Sequence, residues 1–129
     1  MKNIARLLVG LFGLLSVATA LGLWFAMEGL LTNLGIAPTD LAGGLVGRAT
    51  VRADIAGLFA GMGVAMLLAA RHQSRSWTNA VLLFVTMAIT GRIISVFLDG
   101  GPAMVWPPIA IEAAIIALVL WYRRGLPSA

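Results

Sequence analysis

Apolar residues fill the chain in long runs, and short polar or glycine-rich stretches interrupt them. The runs cover about residues 4–27, 53–70, 77–98 and 108–122. Apolar stretches of about 20 residues can cross the hydrocarbon core of a bilayer as helices. The pattern predicts an all-α protein: a single four-helix transmembrane bundle spanning residues 1–129. The first connection, "GLLTNLGIAPTDLAGGLVGRATVR" (29–52), is long for a small bundle, rich in glycine, and carries Pro38. Long connections often carry function, and the part after Pro38 is expected to form a short interfacial helix. "RHQSRS" (71–76) is a short polar turn, and "DGGPAMVWP" (99–107) turns on Gly100, Gly101 and Pro102.

The first run follows Lys2 and Arg6, and its Ala18-Thr19-Ala20 has the small-residue form of a leader cleavage site. The run continues past that point as "LGLWFAM", too long for a leader core, so it reads as a retained span.

Composition agrees with lipid as the solvent. Of 129 residues 60% are hydrophobic and 11% charged, a balance that cannot clothe a water-soluble domain of this size. Cysteine is absent, which removes disulfides, thiolate metal sites and cysteine nucleophiles. The net charge of +4 does not point to nucleic acid, because the basic residues lie in short segments flanking the apolar runs. With four spans, Lys2, Arg6, Arg71, Arg75, Arg123 and Arg124 fall on one side. By the positive-inside rule that side is cytoplasmic, so both termini are expected inside. The acidic residues Glu28, Asp40, Asp54, Asp99 and Glu112 map to the opposite half, with Arg48 and Arg52. Trp24 and Trp106 fall near the outer interface and Trp77 and Trp121 near the inner one, as aromatic belts do.

Several charges sit inside the spans rather than beside them. Arg92 lies about six residues inside the outer end of the third run, roughly 9 Å deep, and Glu112 lies at similar depth in the fourth. Asp54 and Glu28 lie near the outer ends of the second and first runs. Arg92, Ser95 and Asp99 share a helix face by their spacing. A lone charge at a helix centre costs about 3 kcal/mol even on the lenient insertion scale. Arg92 is therefore expected to turn inward against Glu112, with two parallel hydrogen bonds available to the pair. Asp54, Asp99 and Arg52 or Arg48 are expected nearer the outer mouth. Two readings of this layer stand side by side. One is a clamp that fixes helix order; the other is a polar pocket for a headgroup, a small amphiphile or a proton.

On the second run Asp54, Gly57, Gly61 and Ala65 lie on one face, with Gly57 and Gly61 in a G-x-x-x-G pattern suited to close helix packing within the chain or between two copies. His72 stands in a basic turn as a solvated flank, and Met62 and Met66 read as apolar filler, so no metal is expected. Ser16, Thr86, Thr90 and Ser95 have no histidine base, which excludes a serine-hydrolase triad. "AGGLVG" (42–47) lacks the context of a phosphate loop.

"VRADIAGLFAGMGVAMLLA" and "TGRIISVFLDGGP" together resemble the small bacterial four-helix membrane proteins of domain-of-unknown-function family 4345. Arg52, Gly57, Gly61, Gly91, Arg92, Ser95, Asp99, Gly100, Pro102 and Glu112 match that family's pattern, with one extra glycine in "DGGP". The resemblance implies an architecture similar to DoxX-type four-helix proteins, some of which are subunits of quinone-linked enzymes. It implies no activity, since fold does not carry function.

The leading functional expectation is a non-catalytic membrane protein, either an accessory subunit or a binder of a lipid-like amphiphile. Arg92 and Glu112 would form the base of its pocket, Asp54 and Asp99 the rim, and the 29–52 connection a lid. A second expectation is a proton-coupled transporter working through Glu112 or Asp54 as a homodimer. The third is an enzyme using Glu112 and Asp99 for acid–base chemistry on an apolar substrate, ranked last because no recognised catalytic constellation is present. Expected partners are membrane lipid, a small amphiphile, and a membrane protein or second copy. Neither cofactor nor nucleic acid is expected.

Overall fold

The computed structural model describes residues 2–31, 33, 48–99 and 106–127. All the regular structure in these residues is helical. Helix α1 runs over Lys2–Phe25 and the short α2 over Met27–Leu31. Helix α3 is the stretch Arg48–His72, α4 is Arg75–Asp99 and α5 is Trp106–Arg124. Helices α1, α3, α4 and α5 are long and apolar enough to cross a membrane, with mean hydropathies of 2.1, 1.8, 2.2 and 1.3. Helices α3, α4 and α5 run past their apolar sequence runs into the charged flanks, whereas α1 starts before its run and ends at Phe25, short of Met27. The shortest of the four long helices is α5, with 19 residues against 24 in α1 and 25 in α4.

Helix α1 packs on α3 and α5, and α4 packs on the same two, so the four long helices form a closed ring. Neighbours are antiparallel. Between α1 and α3 the contacts are Arg6 with Ala70, Gly13 with Gly63, and Trp24 with Arg52, each step up one helix matched by an equal step down the other. Both ends of the described chain therefore lie at one end of the bundle. This is the end that carries Arg6, Arg71, Arg75, Arg123 and Arg124.

The α1–α3 seam is tight because glycine meets glycine there. A Cβ on Gly63 would stand 2.8 Å from the Gly13 carbonyl oxygen and 2.8 Å from Val17 Cγ2. In lipid, where apolar side chains gain little by leaving their solvent, such close approach is what holds helices together. Small residues continue the seam at Ala5, Ala20, Ala56 and Ala70, all buried.

Two local departures from straight α-helix shape the opposite end. A Cβ on Gly22 would collide with Leu30, although eight residues of straight helix separate points by about 12 Å. The chain therefore bends at Ala26, between α1 and α2, and folds Leu30 back. In α3 the turn Val51–Ile55 is π-helical, closed by the Ala56 N–H donating to the Val51 carbonyl. The extra residue in that turn shifts the faces of everything before it.

Two apolar clusters result. The larger lies in the basic half, around Val9, Met66, Val81, Val85, Val119 and Tyr122. The smaller lies in the other half and belongs to α1, α2 and α3 alone, through Leu23, Met27, Leu31, Val51 and Ala56. Helices α4 and α5 add no buried residue to the second half: none is buried from Thr86 to Leu98, nor from Trp106 to Ala114.

Candidate functional site

Among the described residues an ion pair joins the sparsely packed halves of α4 and α5. Arg92 stands seven residues before the end of α4 and Glu112 six after the start of α5, so antiparallel packing puts them at one level, roughly 9–10 Å from the helix ends. Arg92 Nε donates to Glu112 Oε1 at 2.8 Å. The Glu112 side chain is 13% exposed and that of Arg92 39%. Glu112 Oε2 is buried and accepts no hydrogen bond from the described residues. A buried carboxylate oxygen without a donor is expensive, and here it lies beside a cation that has one edge engaged and further N–H donors to offer.

The other charges of this half go elsewhere. Arg48 Nη2 meets Glu28 Oε1 at 3.2 Å in an exposed pair. Arg52 and Trp24 form a reciprocal link between α3 and α1: the indole Nε1 donates to the Arg52 carbonyl at 2.9 Å, and Arg52 Nε donates to the Trp24 carbonyl at 3.4 Å. Asp54 is exposed on the π turn, and no ion pair is seen for it among the described residues. Ser95 is half-buried on α4. The single layer centred on Arg92 thus separates, among the described residues, into one pair on α4–α5 and two links at the α1–α3 end. The π turn is the reason for Asp54, since it breaks the phase that spacing alone assigns. The Asp99 side chain, Asp40, Pro38, the interfacial helix expected after it, and Gly100, Gly101 and Pro102 lie outside the described residues.

One family profile matches residues 4–123. The chain belongs to the domain-of-unknown-function family DUF4345. No curated protein and no solved structure matches it. In this DUF4345 chain the matched stretch takes in Arg92, Glu112 and both glycines of the α1–α3 seam.

Those glycines relocate the closest helix approach within the chain, and leave the reading of the Gly57 and Gly61 face as a contact between two copies untouched. A Cβ on Gly57 would meet nothing within 4 Å among the described residues, and one on Gly61 would touch only the Phe84 ring, at 3.6 Å. The tight contact belongs to Gly13 and Gly63 instead. A glycine pattern along one helix does not say which rotation faces the neighbour. The signal that was available is a glycine at matching depth on the antiparallel partner.

Sequence reasoning also passed over the polar ties at the basic end. Tyr122, which is 1% exposed, donates its hydroxyl to the Ala69 carbonyl at 3.0 Å. Arg6 Nε donates to the Ala70 carbonyl at 2.8 Å. Both carbonyls lie in the last turn of α3, where backbone acceptors have no intrahelical donor, and Gln73 then ends the helix in the left-handed conformation, with φ 50°. Arg75 Nη2 donates to the Leu126 carbonyl at 3.1 Å. These arginines cap helix ends and anchor chain segments besides marking a flank. The visible hints were the lone tyrosine of the chain and an arginine set inside the first apolar run.

Proposed function

We propose that this DUF4345 protein is a non-catalytic binder of a polar-headed amphiphile in a bacterial inner membrane. Its termini face the cytoplasm and its site is the Arg92–Glu112 pair in the outer half of the bilayer. The observation that carries this reading is the buried Glu112 Oε2, without a donor among the described residues, beside a half-exposed guanidinium. A headgroup with a hydroxyl or amine donor satisfies that oxygen, while an acceptor on the same headgroup takes the remaining Arg92 donors. The apolar body of such a molecule suits the surroundings, since Ile94, Phe97 and Leu98 of α4 and Ile111 of α5 are all exposed. An intramembrane ion pair has a functional reading by default.

The test is native mass spectrometry of the protein released gently from its membranes, beside Arg92→Ala and the double change Arg92→Met with Glu112→Leu. A discrete small-molecule adduct on the parent, absent from both variants, is expected. An adduct that survives the double change, or no adduct together with full cellular function of the double variant, makes the pair a clamp. A second reading, an accessory subunit, rests on the absence of buried residues in the outer halves of α4 and α5, a surface that a partner helix would cover. It predicts a co-purifying membrane protein in place of the adduct.

A further inference from the structure

At the opposite end of the bundle, an open surface groove of about 520 Å³ lies between α1 and α3, lined by Asn3, Arg6, Leu7, Leu67, Ala70 and Arg71. Its volume is in the range of small-molecule sites, roughly 300–1,000 Å³. It forms because the seam beneath it is built of small residues: a Cβ on Gly10 would lie 3.8 Å from Ala70 Cβ, so the helices meet low and their longer side chains stand as walls. The lining divides by chemistry. Leu7 and Leu67 lie toward the hydrocarbon; Asn3, Arg6 and Arg71 lie toward the helix ends.

We infer that this groove seats the phosphate headgroup of an anionic phospholipid from the leaflet at the basic end. The bond from Arg6 Nε to the Ala70 carbonyl fixes its guanidinium at the wall of the groove. That bond uses one of five N–H donors and leaves the two Nη groups, the pair that fits a phosphate bidentately. Arg71 is exposed on the facing helix and supplies a second cation. Asn3 adds an amide donor from the first turn of α1, whose backbone N–H groups have no intrahelical acceptors and favour an anion. The α3 terminus would repel an anion through its carbonyls, but Arg6 and Tyr122 cover two of them. Leu7 is 70% exposed and gives the first methylenes of an acyl chain a surface to follow. A soluble anion has no use for that apolar half, which is why a lipid is the occupant. The site is independent of the Arg92–Glu112 pair.

The test is a titration of the purified, detergent-solubilised protein with phosphatidylglycerol or phosphatidylcholine, the first bound lipid being counted by native mass spectrometry. The parent is expected to hold phosphatidylglycerol several-fold more tightly than phosphatidylcholine. Arg71→Ala, which removes no hydrogen bond seen in the structure, is expected to weaken phosphatidylglycerol by about tenfold, the scale of one charge-assisted bond, and to leave phosphatidylcholine unchanged. Arg6→Lys keeps the charge, removes the planar fork, and is expected to weaken it as well, with thermal unfolding reporting separately on the cap. The double change Arg123→Ala with Arg124→Ala strips more charge from the same end without touching this groove, and is expected to leave phosphatidylglycerol within about twofold. Equal affinity of the parent for the two lipids overturns the inference. So does an equal loss in the Arg123, Arg124 double variant, which would make the preference a general effect of charge. Displacement of the lipid by soluble glycerol phosphate at similar concentration overturns it too, by assigning the groove to a free anion.

Discussion

The two antiparallel pairs of the bundle are built on different principles. Helices α1 and α3 touch along their whole length, glycine against glycine at the centre and alanine toward both ends. Helices α4 and α5 have their buried side chains in the basic halves, among them Thr78, Val81, Val85, Val119 and Tyr122, and among the described residues the Arg92–Glu112 ion pair joins them beyond that. Lipid competes evenly for apolar side chains, so close backbone approach stabilises the first pair. The second leaves Glu112 Oε2 without a donor among the described residues, in the half away from the basic end, and exposes apolar side chains there. Steric fit dominates one side of the molecule; electrostatics decides the other.

The strongest way to break this contrast is to fill the seam. Gly63→Val places new atoms 2.8 Å or closer to α1, and a loss of about 3 kcal/mol or more is expected in unfolding from detergent. Gly57→Ala, which would meet nothing within 4 Å among the described residues, is expected to stay within about 0.5 kcal/mol. If the two variants melt together, the seam is not where the stability lies. On the other side, Glu112→Leu strands the Arg92 cation and is expected to cost roughly 3 kcal/mol. Adding Arg92→Met is expected to restore most of that loss. A double variant as unstable as the single one would mean that the pair contributes more than mutual neutralisation.

Smaller effects sharpen the comparison. Tyr122→Phe removes the donor to the Ala69 carbonyl and keeps the ring, so about 1–1.5 kcal/mol is expected from the same unfolding measurement. No change in that variant would show that the α3 terminus finds another donor. Glu28→Gln dissolves an exposed pair and is expected to shift stability by less than about 0.5 kcal/mol. A larger loss there would make the α1–α3 end as dependent on charge as the α4–α5 pair.

Much of the frame was legible in the chain. Helix number follows from apolar run length, because backbone groups in hydrocarbon must be satisfied within a helix. The meeting of Arg92 and Glu112 follows from equal depth on antiparallel neighbours and the cost of a lone charge. Rotation was not legible. Gly57 and Gly61 form the more conspicuous pattern, yet Gly63, two residues on and about 200° round the helix, faces Gly13. The π turn at Val51–Ile55 moves Asp54 away from the phase of the residues after it, and no side-chain type announces such a turn. Backbone partners were invisible for a related reason. Arg6, Arg52 and Tyr122 bond to carbonyls, which every residue possesses, so composition gives no hint of which one is chosen.

The unequal helix lengths impose a constraint on the surrounding bilayer. At 1.5 Å per residue α5 extends roughly 28 Å, close to a typical hydrocarbon thickness of about 30 Å, while α1 and α4 extend roughly 36–38 Å. A helix of the first kind stands near the membrane normal; helices of the second kind must lean, or carry their ends into the headgroups. All belong to one ring, so they cannot each choose a tilt. In a bilayer of that thickness the mismatch would fall on the lipid, thinned beside α5 and thickened beside α1 and α4. Sensitivity to acyl-chain length is then expected along one flank more than the others, the flank bearing Glu112.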